Sequence, residues 1–157
     1  MREASPDTPP IDAGLVERLD SARRFGQGLL YARQWLYASF DLSLTGPTPG
    51  PAMAVWERME ANSLLGHVPG TAFPGTFGHI VGGYAAGYYG YMWAEVLALD
   101  MLSAFGDDVM NGDVGRRFRR EVLSRGGEVP AAELVRRFLG RPVNADAFFK
   151  EIVGERV

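Results

Sequence analysis

Tyrosine and glycine are concentrated in the stretch FGHIVGGYAAGYYGYMWAEV, residues 77–96. The apolar residues from 85 to 105 predict a strong helix, and a helix turns by about 100° per residue. With that geometry Tyr84, Tyr88 and Tyr91 fall on one stripe near the beginning of the helix. The pattern therefore predicts three phenol hydroxyls that point to the same side.

His79 precedes this stripe, and Glu95 continues it by one more turn. Phenol hydroxyls and an imidazole aimed at one point are the donors that stabilise an oxyanion in an enzyme. A plainer interpretation is that the tyrosines pack in the core and each hydroxyl finds a backbone partner. The residues by themselves leave both interpretations open.

Glycines surround the histidine at Gly78, Gly82 and Gly83. Because glycine has no side chain, these positions would let the backbone move or a substrate approach closely. Phosphate binding is a weaker interpretation, since no lysine lies where a phosphate-binding loop requires one. The segment 66–91 is therefore predicted to be a functional loop rather than a passive connection.

Metal and nucleophile motifs are missing from this sequence. It has two histidines, His67 and His79, no cysteine and no His-Glu-x-x-His pair. It also lacks the Gly-x-Ser-x-Gly turn of serine hydrolases. We therefore expect no metal site built from this chain alone.

Composition indicates one globular domain without a nucleic-acid or membrane partner. The chain has 157 residues and a net charge of −3, and its four clustered arginines, Arg116, Arg117, Arg119 and Arg120, are expected to form a solvated helix face. Carboxylates interrupt the most apolar segment, 80–105, so a bilayer span is not expected. The first residues contain no apolar run typical of a secretory signal, and the predicted location is cytoplasmic.

Apolar spacing predicts an all-α fold, an irregular multi-helix bundle with a long glycine-rich loop. Residues 1–10 are polar and proline-rich and are predicted to be a disordered tail, whereas 11–157 form the helical domain. The predicted helices cover residues 11–25, 26–44, 52–65, 85–105, 113–124, 131–139 and 145–153. The second of them is expected to be largely buried.

Three long stretches resemble one family of enzymes. TFGHIVGGYAAGYYGYMWAEVLALDM resembles the C-terminal signature of the thimet oligopeptidase, neurolysin, oligopeptidase A and dipeptidyl carboxypeptidase family of zinc metallopeptidases. VERLDSARRFGQGLLYARQWLYASFDLSL and EVLSRGGEVPAAELVRRFLGRPVNADAFF resemble neighbouring parts of the same family. The resemblance runs from about Ile11 to the C-terminus and implies the C-terminal subdomain of a zincin-like oligopeptidase.

The resemblance implies hydrolysis of short peptides in a deep channel of a mainly helical enzyme. In the family, a His-Glu-x-x-His helix and a downstream glutamate hold zinc, and the motif glutamate activates water. By motif position, Tyr84 and Tyr91 would contact the scissile carbonyl or oxyanion, and His79 and Tyr88 would bind substrate. Gly82 and Gly83 would form the hinge of the substrate loop, and Gly78 would lie against the peptide.

The family's zinc helix lies upstream of the part that this chain matches. We therefore expect a substrate-binding portion that is inactive on its own, with zinc belonging to the complete family enzyme. Its partners would be short peptides and a possible separate chain that carries the zinc motif. The alternative is a non-catalytic helical module that binds peptides or self-associates, with the amphipathic helix from Leu29 to Leu44 as the contact of a homo-oligomer.

Overall fold

The computed structural model describes residues 9–154, and every regular element within them is helical, as predicted. The prediction of a disordered tail over 1–10 lies almost wholly outside the described residues. The α-helices, in chain order, are α1 Ala13–Arg24, α2 Gln27–Thr45, α3 Ala52–Ala61, α4 Gly90–Ser103, α5 Gly112–Phe118, α6 Ala131–Leu139 and α7 Asp146–Ile152. Short 3₁₀ turns lie at Phe73–Gly75 and Gly78–Ile80, and a π turn at Arg119–Leu123 extends α5.

Helix boundaries follow local sequence signals where those signals are strong. The side chain of Asp12 accepts a hydrogen bond from the Leu15 amide at 2.9 Å, which caps α1. Pro130 precedes α6, and Gly140 ends it in the left-handed conformation with φ +71°. The predicted bounds of α6 are therefore confirmed residue for residue.

An aromatic core joins α2, α3 and the irregular segment that follows α3. Its buried members are Leu36, Phe40, Val55, Trp56 and Phe77. The ring of Phe73 stacks on Trp56 with centroids 4.2 Å apart. Phe73 and Phe77 therefore anchor the irregular segment between α3 and α4 to this core.

A second core joins α2, α4 and α7 around Tyr31, Val96 and Phe148. The rings of Tyr31 and Phe148 meet edge to face at 5.4 Å. Since α2 contributes to both cores, it is the central element that fixes the glycine-rich loop relative to α4.

The expectation that α2 is largely buried is wrong for one of its faces. Leu30 is 57% exposed and Trp35 is 60% exposed, whereas Leu36 and Phe40 on the inner face are nearly inaccessible. Helix α1 has no buried residue, so its apolar spacing does not lead to burial within the described chain. These two helices leave apolar surface in contact with solvent.

The arginine cluster of α5 and the π turn is solvent-facing, as expected. Arg116 pairs with Asp113, and Arg120 pairs with Glu121 at 2.7 Å. Acidic neighbours in sequence thus offset part of the positive charge on this face.

Across residues 9–154, the structure contains no helix long and apolar enough to cross a membrane.

Candidate functional site

The predicted helix over residues 85–105 begins five residues later, at Gly90. Ala86 has φ +59°, a left-handed conformation that is incompatible with a continuous helix. Tyr84 and Tyr88 therefore lie in a series of turns, and Tyr91 lies in the first turn of α4. The prediction that these three tyrosines lie on one face of a continuous helix is therefore wrong. We call residues 84–89 the tyrosine turn.

A buried carboxylate of α2 holds the tyrosine turn in place. Asp41 is 0% exposed and accepts the Ala86 amide at 3.0 Å on one oxygen and the Tyr88 amide at 3.0 Å on the other. A helix beginning at Ala85 would leave the Ala86 amide without a helical acceptor, because the amides of the first turn have none. Asp41 accepts this amide together with that of Tyr88, and the chain turns here before α4 begins.

The tyrosine turn brings the predicted site residues together although they are not on one helix. The 3₁₀ turn Gly78–Ile80 presents His79, whose ring centroid lies 4.9 Å from Tyr88 and 5.7 Å from Tyr91. The Tyr88 and Tyr91 rings are 5.1 Å apart. His79 Nε2 and the Tyr91 hydroxyl are 3.0 Å apart and share a hydrogen bond. We call His79, Tyr84, Tyr88 and Tyr91 the aromatic cluster.

Tyr88 is the half-buried tyrosine of the aromatic cluster. Its hydroxyl donates a hydrogen bond of 3.0 Å to the Gln34 side-chain oxygen, and its ring meets Tyr37 edge to face at 5.6 Å. Burial raises the pKa of Tyr88 above its usual value of 10.0, and the neighbouring phenols of Tyr37 and Tyr91 raise it further. The hydroxyl is therefore neutral at physiological pH and already has one partner.

Tyr84 and Tyr91 are the solvent-facing members of the aromatic cluster. Tyr84 is 68% exposed and its ring lies 6.1 Å from His79, while Tyr91 is 57% exposed. The rings of both residues lie close to half-buried His79, at 6.1 Å for Tyr84 and 5.7 Å for Tyr91. The structure thus brings all four predicted side chains to one surface.

Two of the three predicted loop glycines have a local structural requirement. A side chain at Gly82 would place its Cβ 2.9 Å from the Gly78 carbonyl oxygen, and Gly83 has φ +83°. A Cβ at Gly78 would meet open space. The hinge at Gly82 and Gly83, and a peptide contact at Gly78, remain predictions.

Neither histidine lies in a metal-binding group. His67 Nδ1 is 2.8 Å from buried Glu60, which also accepts a hydrogen bond from Arg33 at 3.0 Å. His79 is paired with Tyr91. Within residues 9–154 no group of three or more histidine, aspartate or glutamate side chains is arranged to hold a metal ion. These residues alone do not fit a zinc site.

Glu95, which continued the predicted stripe, faces a different part of the molecule. Its carboxylate accepts a hydrogen bond of 2.8 Å from Tyr31 on α2. Both side chains line a cavity of about 700 Å³ between α1, α2 and α4. The aromatic cluster therefore does not include this carboxylate.

Sequence reasoning missed the three α2 residues that support the aromatic cluster. Gln34, Tyr37 and Asp41 follow the spacing i, i+3, i+7, which places them on one helix face. A polar stripe in an otherwise apolar helix, with an aspartate in its last turns, was the available signal. It would have indicated a buried polar contact without naming the partner.

Comparison with known proteins assigns the family. A model of peptidase family M3 matches residues 3–154. Oligopeptidase A of Escherichia coli is 35% identical over 148 residues, which are 90% of this chain and 22% of that protein. The probable cytosolic oligopeptidase A of Arabidopsis thaliana is 39% identical over 142 residues, which are 83% of this chain and 20% of that protein.

Saccharolysin of Saccharomyces cerevisiae is 34% identical over 149 residues, 90% of this chain and 21% of that protein. The chain thus spans about a fifth of the length of the curated relatives it matches. The family resemblance carried by the glycine- and tyrosine-rich segment is confirmed by these matches. The chain belongs to peptidase family M3.

Proposed function

We propose that residues 66–91 form the peptide-contacting wall of a zinc-dependent oligopeptidase. The observation that carries this proposal is the aromatic cluster, in which one imidazole and three phenols share a surface that is open to solvent. Family membership supports peptide-bond hydrolysis as the chemistry of the complete enzyme. Short peptides are the proposed ligands.

The hydrogen bonds and the exposure of its members suggest a role for each side chain of the aromatic cluster. When His79 Nε2 carries the proton, it donates to the Tyr91 oxygen and leaves the Tyr91 hydroxyl proton available for a substrate carbonyl. The Tyr88 proton is directed to Gln34, so its oxygen is suited to accept a peptide N–H. Exposed Tyr84 is the second proposed donor to the developing oxyanion.

Zinc and the general base would come from residues outside the described chain. In the complete enzyme the metal supplies Lewis-acid chemistry, and the tyrosines of this chain supply hydrogen bonds to the peptide. By itself the chain is proposed to bind peptides without hydrolysing them. We place the protein in the cytoplasm, in keeping with the relative described as cytosolic.

The proposal is tested by titrating the purified chain with a short fluorescent peptide that lacks charged side chains. Binding should be saturable and should weaken in the Tyr84→Phe and Tyr91→Phe variants. Tyr89→Phe is the matched control, because Tyr89 is a neighbouring exposed tyrosine outside the aromatic cluster. Equal affinity in all four proteins would contradict the proposed contact surface.

Catalysis is tested by adding a second chain that carries His-Glu-x-x-His. Restored, chelator-sensitive cleavage is expected, and Tyr91→Phe should slow its turnover by about a hundredfold, as for other lost oxyanion donors. Chelator-sensitive cleavage by the chain without a partner would contradict its proposed inactivity.

Self-association is the second candidate function. It is favoured by the exposed apolar face of α2, where Trp35 is 60% and Leu42 is 48% exposed. Trp35 also borders an apolar groove of about 380 Å³ next to Leu64, which is 86% exposed. We propose that a second copy of the chain covers this face, as the amphipathic pattern from Leu29 to Leu44 suggests.

Light scattering over a range of protein concentrations tests this proposal. A dimer is expected that dissociates in the Trp35→Glu variant and persists in Phe149→Glu, since Phe149 is an equally exposed aromatic on α7. A monomer at high concentration would contradict self-association.

A further inference from the structure

We propose that Asp41 is a positioning residue for the peptide-contacting tyrosines, acting through the backbone of Ala86 and Tyr88. This inference rests on the proposed function of the aromatic cluster. Asp41 lies 45 residues before Ala86 in the chain. Its carboxylate bonds to backbone amides, not to the imidazole or the phenol hydroxyls that are proposed to contact peptide. Its effect on binding would therefore be indirect.

The first argument is that both oxygens of the carboxylate are used. Oδ1 accepts the Ala86 amide and Oδ2 accepts the Tyr88 amide, each at 3.0 Å. The side chain is 0% exposed, so water does not compete for these oxygens. Hydrogen bonds to a charged acceptor are stronger than those between neutral groups, and burial makes the loss of such an acceptor costly.

The second argument is the conformation that these bonds maintain. Ala86 has φ +59°, the only non-glycine residue with positive φ in the part of the chain that the structure describes. Alanine disfavours this conformation because its Cβ approaches the backbone. The two hydrogen bonds that Asp41 accepts, from the amides of Ala86 and Tyr88, compensate for that strain. Without them, we expect the tyrosine turn to leave this conformation.

The third argument is what the turn positions. The second bonded amide belongs to Tyr88 itself, whose ring lies 4.9 Å from His79 and 5.1 Å from Tyr91. Gln34 orients the hydroxyl of the same tyrosine. A shift of the Tyr88 backbone would therefore change the spacing of the whole aromatic cluster.

Asparagine is the informative substitution because it has nearly the same shape as aspartate. Its single oxygen can accept one of the two amides, whereas its NH₂ group would face the other amide as a second donor. Asp41→Asn should therefore release Ala86 or Tyr88 while leaving the packing of Phe40 and Trp56 nearly unchanged. Ala86→Gly provides a rescue, since glycine adopts positive φ without the strain that Asp41 offsets.

The experiment compares the wild-type chain with Asp41→Asn, Ala86→Gly and the double variant. Two measurements are made on each: hydrogen exchange of the backbone amides by NMR, and affinity for the short uncharged fluorescent peptide. Asp100→Asn is the matched control. Asp100 is also a buried carboxylate that accepts a backbone amide, from Asn144 at 3.0 Å, but it lies away from the tyrosine turn.

We expect Asp41→Asn to accelerate exchange at Ala86 and Tyr88 and to weaken peptide binding about tenfold, the effect of one lost hydrogen bond. Ala86→Gly in the same chain should restore most of that affinity. Asp100→Asn should leave both the affinity and the exchange at Ala86 and Tyr88 unchanged.

Two results would overturn the inference. One is unchanged amide exchange at Ala86 and Tyr88 in Asp41→Asn. The other is weakened binding that Ala86→Gly does not restore, which would assign Asp41 to general stability instead. If the wild-type chain binds no peptide, the proposed function is contradicted, and so is the claim that Asp41 affects peptide binding. The exchange measurement still shows separately whether Asp41 holds the turn.

Discussion

The hydrogen bond between Tyr31 and Glu95 predicts a specific change in stability at alkaline pH. Tyr31 is 8% exposed, packs edge to face on Phe148 and donates to Glu95 at 2.8 Å. Burial, followed by the hydrogen bond and negative charge of Glu95, raises the pKa of Tyr31 from 10.0 to about 12. Tyr31→Phe removes the titrating hydroxyl and keeps the ring.

The magnitude follows from proton linkage. The folded state keeps the Tyr31 proton up to higher pH than the unfolded state, so its contribution to stability is complete below the unfolded pKa. This contribution is lost as the pH rises through the folded pKa. A shift of about two units corresponds to about 2.7 kcal/mol in the free energy of unfolding. At neutral pH, Tyr31→Phe should cost about 1 kcal/mol, because one buried hydrogen bond is lost.

The assay is urea unfolding of both proteins at a series of pH values from about 7 to about 12. Groups other than Tyr31 titrate in both proteins, so the difference between the two curves isolates this hydroxyl. By about pH 12, where Tyr31 of the folded protein is half ionised, we expect the wild-type protein to lose about 2.3 kcal/mol more than the variant, and the full value of about 2.7 kcal/mol would be lost only at higher pH. Tyr89→Phe, at a half-exposed tyrosine, should change the neutral-pH value by less than about 0.5 kcal/mol. Parallel curves for the wild type and Tyr31→Phe would refute the reasoning.

Two further predictions concern stability. Burial alone would raise the pKa of Asp100, but hydrogen bonds from Arg141 and from the Asn144 amide outweigh it and lower the pKa below 3.8. The contribution of Asp100 to stability is present above its unfolded pKa and is lost as the pH falls through its folded pKa. In acid, the free energy of unfolding of Asp100→Asn should therefore depend less on pH than that of the wild-type protein. Phe40→Ala, at a side chain with 0% exposure, should cost about 3–5 kcal/mol in urea unfolding, whereas Phe149→Ala, at 62% exposure, should cost under about 0.5 kcal/mol. A similar loss in both phenylalanine variants would contradict the assigned core.

Local patterns predicted the helices whose ends carry their own signals. Helix α6 is bounded by Pro130 and Gly140, and both act on the backbone of neighbouring residues. The start of α4 was predicted too early because residues 85–89 have no residue that forbids a helix. The carboxylate that accepts the Ala86 and Tyr88 amides in the turn belongs to Asp41, far away in the sequence.

The same limit applies to the candidate site. The motif identified His79, Tyr84, Tyr88 and Tyr91, and the structure brings these four together, although by turns rather than by a helix face. Glu95 was grouped with them only because it shares their helical phase. Its actual partner is Tyr31 from α2, which no local pattern indicates.

The sequence by itself determined the all-helical class, the peptidase family and the residue types of the aromatic cluster, because these depend on composition, periodicity and a motif contained in one segment. Only the tertiary structure decided how that segment bends, which tyrosine is half-buried and which carboxylate holds the turn. These features depend on hydrogen bonds and packing between α2 and residues more than forty positions later. Such contacts form only when the chain folds, so no property of either segment alone encodes them.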